Sequence, residues 1–406
     1  MSQIWPLQEF DNAIARNSIG RQNQIAAGDY KPDGAYPIVD QGQSFIAGYT
    51  DDASKVVFDG LPYVIFGDHT RCFKYVDFPF VLGADGTKVL KPKADLFDPR
   101  FFYFALLSLN IPSRGYNRHY TLLREKKVLQ PERSEQRKIA RVLATVQRAI
   151  EQQQTIIATT RELKRSLMHK LFTEGLRGEA QKATEIGLVP QSWDVVKLGD
   201  CCDVVSSAIP YSELEKSADY ADEDAVDVMG VKVSDMNLPG NELAFNRANL
   251  ERKMPPSILR KRLIAAGTIV FPKRGAAIAT NKKRIATGWT VLDPNLIGVV
   301  AGERLNPDFL FHQFQRVDLR KITDPGPTPQ LNKKDLLPLW LPVPQTLDEQ
   351  MEIATSIGAI QNKIDDECTK LSLLNDLFKT LLHQLMTAQL RVNDLDLDTL
   401  GVPALD

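Results

Sequence analysis

The most informative pattern in the chain is a regular spacing of apolar residues in two long stretches. Positions alternately four and three residues apart are mostly apolar from Ile139 to Leu171, and from Ile353 to Leu385 only Glu367 is polar. This spacing is typical of a helix that packs along a second long helix. The predicted seam positions are Ile139, Leu143, Val146, Ile150, Ile157, Leu167, Leu171, Ile353, Ile357, Ile360, Ile364, Leu371, Leu374, Phe378, Leu381 and Leu385.

The two stretches are copies of one another. Glu135-Gln136 and Ile139-Ala140 return, at an offset of 214, as Glu349-Gln350 and Ile353-Ala354. Helices of about 39 residues would be roughly 58 Å long, too extended for each seam to be buried alone. We therefore expect the two helices to pair, with Thr346 and Glu349 forming a capping box at the start of the second. The alternative is two amphipathic helices packed on separate local cores.

The segment before each helix has short β-branched and aromatic runs interrupted by turn residues, which predict strands. The predicted strands are Tyr36–Val39, Val56–Phe58, Tyr63–Phe66, Phe73–Val76, Val226–Val233, Gly267–Phe271 and Val291–Val300, and the predicted short helices are Phe101–Leu109 and Pro307–Val317. The expected fold class is α+β with a pseudo-two-fold repeat. Its parts are a first domain (1–130), a central spacer helix (131–176), a linker (177–192), a second domain (193–345), a C-terminal spacer helix (346–391) and a tail (392–406).

Composition narrows the class of protein. Among 406 residues, 50 Lys+Arg oppose 51 Asp+Glu, so any nucleic-acid surface must be local rather than a uniform basic coat. The four cysteines include no CxxC motif and the five histidines are scattered, which predicts neither a metal site nor a disulfide framework. No apolar run approaches about 18 residues. We expect a soluble protein of the reducing cytoplasm.

Basic residues are concentrated in the second domain. Residues 251–284 hold ten Lys/Arg and one acid, after a strongly acidic segment over 203–235. Such local charge separation favours phosphate contact, although an ordinary solvated loop would look the same. The DNA-binding candidates here are Lys273, Arg274, Lys282, Lys283 and Arg284.

The first domain has two loops rich in hydrogen-bonding groups. One follows the strand Tyr63–Phe66, and the other interleaves cationic and aromatic residues over 114–120. Such groups suit phosphates and base edges, whereas turn chemistry would equally explain Gln41 and a structural role would explain His119. The DNA-binding candidates are Gln41, His69, Thr70, Arg71, Lys74, Arg114, Tyr116, Arg118 and His119.

Catalytic motifs are lacking in the sequence. The Pro255-Pro256 pair lies between Met254 and Ser257, which is not the Asn/Asp-Pro-Pro-aromatic loop of adenine methyltransferases. Neither a GxxxxGK[ST] nor a GxSxG motif occurs. We predict no catalytic residues, no metal site and no cofactor in this chain.

Several short motifs accompany the repeat of the long helices. They are Leu188-Val189-Pro190, Trp193 and Leu198-Gly199-Asp200 at the start of one half, Pro131 to Gln136 and Pro344 to Gln350 before the helices, Leu171-Phe172-Thr173 with Gly175-Leu176 at a helix end, and Tyr36-Pro37-Ile38-Val39, Gln41-Gly42 and Phe66-Gly67-Asp68-His69-Thr70 in the first domain. This doubled layout resembles the specificity subunit of type I restriction-modification systems. Departures are Glu132 in place of Thr346, Gln389 in place of Gly175, and a shortened opening before Trp5.

The resemblance implies two target-recognition domains held apart by an antiparallel coiled coil, each domain reading one half of a bipartite, asymmetric double-stranded DNA target. It implies two methyltransferase subunits and two endonuclease subunits as partners, with S-adenosylmethionine, ATP and Mg expected on them. The chain itself would be a non-catalytic reader and scaffold. Two alternatives stay open: a nuclease or methyltransferase with an unrecognised site, and an oligomerisation scaffold without a DNA role.

Overall fold

A computed structural model describes residues 5–83, 85–113, 115, 117–261, 263–323, 326 and 328–395, apart from the side chain of Asn393. The chain divides into two compact units. Unit 1 comprises Met1–Ile157 with Glu367–Asp406, and unit 2 comprises Ala158–Asp366. Both long helices contribute residues to both units.

Unit 1 is built on two small sheets with strand orders β2-β8-β5-β6 and β4-β3-β7, and a β1-β9 pair. Its strands are β1 (Leu7–Glu9), β2 (Ile14–Ala15), β3 (Tyr36–Val39), β4 (Gly48–Thr50), β5 (Tyr63–Gly67), β6 (Phe73–Val76), β7 (Val81–Leu82), β8 (Thr87–Pro92) and β9 (Lys127–Leu129). Its helices are α1 (Phe10–Ala13), α2 (Pro99–Leu107), α3 (Tyr120–Arg124) and the first part of α4 (Arg133–Glu174).

Unit 2 has strand orders β13-β20-β17-β18-β15 and β16-β14-β19, a β12-β21 pair and a β10-β11 hairpin. Its strands are β10 (Gln181–Thr184), β11 (Gly187–Pro190), β12 (Asp194–Lys197), β13 (Cys202–Val205), β14 (Val226–Val231), β15 (Ala244–Phe245), β16 (Leu250–Met254), β17 (Ile269–Pro272), β18 (Arg284–Ala286), β19 (Thr290–Leu292), β20 (Leu296–Ala301) and β21 (Trp340–Val343). Its helices are α5 (Leu198–Cys201), α6 (Tyr211–Lys216), α7 (Pro307–Arg316), α8 (Lys333–Leu336) and the first part of α9 (Leu347–Met386).

The two units repeat one topology. The order β2-β8-β5-β6 in unit 1 corresponds to β13-β20-β17-β18 in unit 2, and β4-β3-β7 corresponds to β16-β14-β19, with one parallel pair in each smaller sheet. Unit 2 adds β15, α6 and the β10-β11 hairpin. The internal repeat therefore includes the globular parts, where the two sequences share little, as well as the spacer helices.

The spacer helices pack antiparallel within each unit. In unit 1, the Gln153 amide donates to the Glu367 carboxylate and to the Glu367 carbonyl oxygen at 3.1 Å. In unit 2, Lys164 donates to the Gln361 side-chain oxygen at 2.6 Å. Every predicted seam position is buried or half-buried. The α+β class with paired long helices is confirmed.

Several predicted boundaries differ from the structure. The segment Val56–Phe58 is not a strand but makes one isolated bridge, between Val57 and Phe80. Val291–Val300 is two strands, because a turn at 293–295 separates β19 from β20. The second long helix ends at Met386, where Ala388 takes a positive φ of 55°. The predicted linker contains the β10-β11 hairpin.

The predicted capping box is half-formed. Thr346 Oγ1 accepts a hydrogen bond from the Glu349 backbone N–H at 3.3 Å, as a cap should. The Glu349 carboxylate does not return to the cap, because it accepts from the buried Trp193 Nε1 at 3.0 Å.

Candidate nucleic-acid interface

The repeated Glu-Gln motif attaches each globular part to its spacer helix. Trp5 Nε1 donates to Glu135 at 3.0 Å, and Trp193 Nε1 donates to Glu349 at the same distance. Arg391 adds a second contact to Glu135 at 3.0 Å in unit 1. The Glu-Gln motif that revealed the repeat thus fixes each globular part to its long helix.

The glutamines of the motif make a second joint. Gln136 accepts from the backbone N–H of Asp98 at 2.7 Å, and Gln350 accepts from that of Asn306 at 2.8 Å. Asp98 and Asn306 are the N-caps of α2 and α7, each followed by a proline at the first helical position. Each short buried helix is therefore fixed to the start of a long one.

In unit 1, Gln41 joins the predicted loops into one cluster. Its side chain donates to the Asp85 carbonyl oxygen at 2.8 Å and accepts from the His69 backbone N–H at 3.2 Å. The Thr70 hydroxyl donates to the Gln41 carbonyl oxygen. Gln41 and Thr70 thus form internal contacts that shape the cluster, while His69 is half-buried within it.

His119 is not a surface ligand, contrary to the prediction. It is fully buried, and its ring Nδ1 lies 2.9 Å from the Asp68 carbonyl oxygen. The buried Asp68 carboxylate accepts from the backbone N–H groups of His119 and Tyr120 at 2.8 and 2.7 Å. These contacts fix the start of α3, so His119 is structural.

Lys74 is also internal. It is 5% exposed, and its ammonium donates to the carbonyl oxygens of Asp40 and Ser44 at 2.8 and 2.6 Å. Burial lowers the pKa of Lys74, an effect that the nearby Asp40 carboxylate opposes. Lys74 was predicted to contact DNA, but its ammonium faces the interior and is bound to these two carbonyl oxygens.

The cations that unit 1 presents at this cluster are Arg71 and Arg118, both exposed. Arg71 has a positive φ of 61° and donates to the Ile111 carbonyl oxygen at 3.0 Å, which joins the β5-β6 turn to the segment after α2. Arg114 and Tyr116 lie outside the described residues.

In unit 2 the corresponding β17-β18 connection is longer, spanning 273–283 rather than 68–72. Arg274 is exposed and Lys273 half-buried, with the pKa of Lys273 lowered by burial and by the neighbouring Arg274 charge. Lys282 is half-buried and donates to the Asn237 side chain. These three cations are available to a ligand.

Lys283 and Arg284 are buried, contrary to the prediction. The Lys283 ammonium donates to the Val317 carbonyl oxygen at 2.6 Å and to the Asn281 side chain at 2.9 Å, and burial lowers its pKa to about 8. Arg284 donates to the Met236 carbonyl oxygen at 2.9 Å. Both side chains are committed to the interior.

The acidic and basic segments of unit 2 also pair with each other. Strand β14 of the acidic segment lies antiparallel to β16 of the basic one, with Asp227 opposite Lys253. Lys261 and Glu213 form an ion pair at 2.7 Å. The charge separation seen in the sequence is therefore partly cancelled in the fold.

The chain is similar in sequence to type I specificity subunits. No family model matches it. It is 25% identical over 288 residues to the MjaVIII type I restriction enzyme specificity subunit of Methanocaldococcus jannaschii, covering 66% of this chain and 63% of that protein. It is 23% identical over 329 residues to the MjaX specificity subunit of the same organism, covering 77% and 73%. The match thus spans just under two thirds of the first relative's length.

A solved structure agrees in fold. The S subunit of a type I restriction-modification system from M. genitalium matches with a TM-score of 0.60 over 95% of this chain and 96% of that one, at 17% identity. This chain has the type I specificity-subunit fold. The resemblance predicted from the doubled layout is confirmed.

Within this specificity-subunit fold, sequence reasoning missed the residues that shape the loops. Asp40 and Asn281 belong to no motif, and Asp68 lies within Phe66-Gly67-Asp68-His69-Thr70 but was assigned no role. The buried cations were visible in principle, because strand alternation places Lys74 on the same face as Val76, a core position. A cationic side chain on the same strand face as core residues indicates a structural role.

The described part of the chain lacks two kinds of feature. None of its helices is both long and apolar enough to cross a membrane. Among the same residues, no group of three or more His, Cys, Asp or Glu is placed to hold a metal ion.

Proposed function

We propose that the chain is the non-catalytic DNA-recognition subunit of a type I restriction-modification complex, and that each unit reads one half of a bipartite, asymmetric target. The observation that carries the proposal is that the two units share one topology but differ in their exposed loops. Unit 1 exposes Arg71 and Arg118 at its loop cluster, whereas unit 2 exposes Arg274 on a longer connection. Unlike loops on a common framework favour two different half-sites.

The cations of the two loop clusters that reach the surface can contact the backbone of DNA. Phosphate contacts supply much of the affinity of a DNA-binding protein, and a few side chains in the grooves supply its specificity. We assign Arg71, Arg118, Lys273, Arg274 and Lys282 to phosphate contact. The resemblance further supports two methyltransferase and two endonuclease subunits as partners, which would carry S-adenosylmethionine, ATP and Mg.

Exposed leucines on the spacer helices support a duplicated partner site. Leu163 in unit 2 is 57% exposed and Leu377 in unit 1 is 45% exposed, and the two are equivalent in the 214-residue repeat. If these two equivalent leucines contact a partner, two copies of one partner would each meet the same apolar side chain. Leu163→Asp and Leu377→Asp should each release one methyltransferase subunit, measured by native mass spectrometry.

The decisive assay is a gel shift of the chain with its methyltransferase subunits, on the split site and on DNAs with either half scrambled. Tight binding to the intact site alone supports the proposal, and equal affinity for scrambled DNA contradicts it. Arg71→Glu with Arg118→Glu should weaken binding and lower the salt slope by up to about 0.9 per lost phosphate contact. Lys216→Glu, an exposed change outside both loop clusters, is the matched control.

A further inference from the structure

In unit 1 a single buried cation holds the loop that follows β3. The Lys74 ammonium binds the carbonyl oxygens of Asp40 and Ser44, and the Asp40 carboxylate lies 3.5 Å from the same nitrogen. These contacts fix the backbone at both ends of residues 40–44. Burial of an ammonium is unfavourable unless it is paired and hydrogen-bonded, so the loop and the lysine stabilise each other.

In unit 2 another buried cation holds the loop that follows β14. Arg284 is 7% exposed and donates to the Met236 carbonyl oxygen and to that of Lys283, both at 2.9 Å. The next residue of the loop, Asn237, receives a hydrogen bond from Lys282. Lys282 and Arg284, around the start of β18, therefore bind two neighbouring residues of this loop.

The two cations occupy the same place in the repeated topology. Lys74 lies opposite Ile65 of β5, and Arg284 lies opposite Val270 of β17, on strands that correspond in the two sheets. No sequence motif relates them. The correspondence appears only in the strand register.

The loop carbonyl oxygens that Lys74 and Arg284 bind correspond as well. Strand β3 ends at Val39 and β14 ends at Val231. Ser44 lies five residues beyond the first end, and Met236 lies five residues beyond the second. Two loops of unrelated sequence are thus held at the same backbone position by equivalent side chains.

We propose that Lys74 and Arg284 are positioning residues that fix two base-reading loops, the first reading loop (residues 40–47) and the second reading loop (residues 232–243). This inference rests on the proposed DNA-reading function. Both loops expose amide side chains, Gln43 in the first and Asn237 in the second. Such amides can pair with base edges in the major groove. Neither cation contacts the DNA itself.

The test uses Lys74→Met and Arg284→Met in the full chain with its methyltransferase subunits. Binding is measured on the intact site and on DNAs with a base change in one or the other half. We expect Lys74→Met to lower discrimination by about tenfold in one half only, and Arg284→Met to do so in the other half only. The salt dependence of binding should not change, because no phosphate contact is lost.

Three results would overturn the inference. The first is a salt slope reduced by about 0.9 with discrimination intact, which indicates a direct phosphate contact. The second is unchanged discrimination in both halves, and the third is an equal loss in both halves from either variant. If a Met variant does not fold, Lys74→Gln and Arg284→Lys keep part of the donor set and should show the same half-specific loss to a smaller extent.

A measurement without DNA separates this inference from the proposed function. Amide hydrogen exchange should accelerate in residues 41–44 of Lys74→Met and in residues 233–237 of Arg284→Met, each leaving the other loop unchanged. If the wild-type chain binds DNA equally well with either half-site scrambled, the proposed function is contradicted. Faster exchange in the two variants would then still support the positioning role. Unchanged exchange in both variants would defeat the positioning role alone.

Discussion

Unit 1 and unit 2 agree where they join the spacer helices and differ where their loops are exposed. Trp5 with Glu135 and Trp193 with Glu349 make the same 3.0 Å contact, whereas the β5-β6 and β17-β18 connections differ in length and charge. The joints must keep their geometry because they fix each unit on a shared helix pair. The exposed loops are free to diverge, and a split target with unlike halves is the expected consequence.

The largest effect should come from breaking a shared joint. Trp193 is fully buried against Phe172 and Phe309, so Trp193→Ala should lower the free energy of unfolding by about 3–5 kcal/mol. Trp5→Ala should also be strongly destabilising. Urea unfolding of the full chain measures both, with Trp289→Ala, an exposed tryptophan, as the control. A loss for Trp193→Ala no greater than the control's would show that the joint is not structural.

The next effect should come from the polar pair in the seam. Gln153 and Glu367 are repeat equivalents that contact each other, so Gln153→Leu leaves a buried carboxylate without one of its donors. We expect a loss of about 2–3 kcal/mol. The double variant Gln153→Leu/Glu367→Leu should recover much of that loss in the same urea assay. Additive losses would contradict the pairing.

A smaller effect distinguishes the two short helices. His312 in α7 lies where α2 has Phe104, and burial, aided by the Lys164 charge, lowers its pKa to about 4. Between pH 6.5 and 4 the unfolded state takes up a proton that the folded state does not, so stability falls as the pH falls. His312→Phe should remove roughly 1–2 kcal/mol of this loss between pH 7 and pH 5. An unchanged pH dependence in urea unfolding would rule out His312 as its source.

The smallest effect concerns the starts of the long helices. Thr346 caps the second one, while the equivalent position in the first is Glu132. Glu132→Thr should stabilise unit 1 by about 0.5–1 kcal/mol, and Thr346→Ala should destabilise unit 2 by a similar amount. Thermal unfolding measures both. Identical effects of Thr and Ala at residue 132 would show that no cap forms there.

The sequence predicted the helices, their pairing and most core strands, because apolar periodicity reports burial directly. It predicted a pseudo-two-fold repeat but not the strand order that the two globular parts share, since strand order depends on contacts between distant residues. Four of the side chains predicted to contact DNA are buried, and the sequence did not reveal this for a related reason. A run of Lys and Arg shows that charge is present, but strand register decides that Lys74 and Arg284 face inward while Arg71 and Arg274 remain exposed.

The most direct test of the central claim is to sequence the methylated positions in DNA from a host that carries this chain with its methyltransferase and endonuclease subunits. Because unit 1 and unit 2 share one topology but have unlike loops, we expect a single methylated DNA motif with two different halves at a constant gap. A palindromic or continuous motif, or methylation that persists after the chain is deleted, would contradict the account.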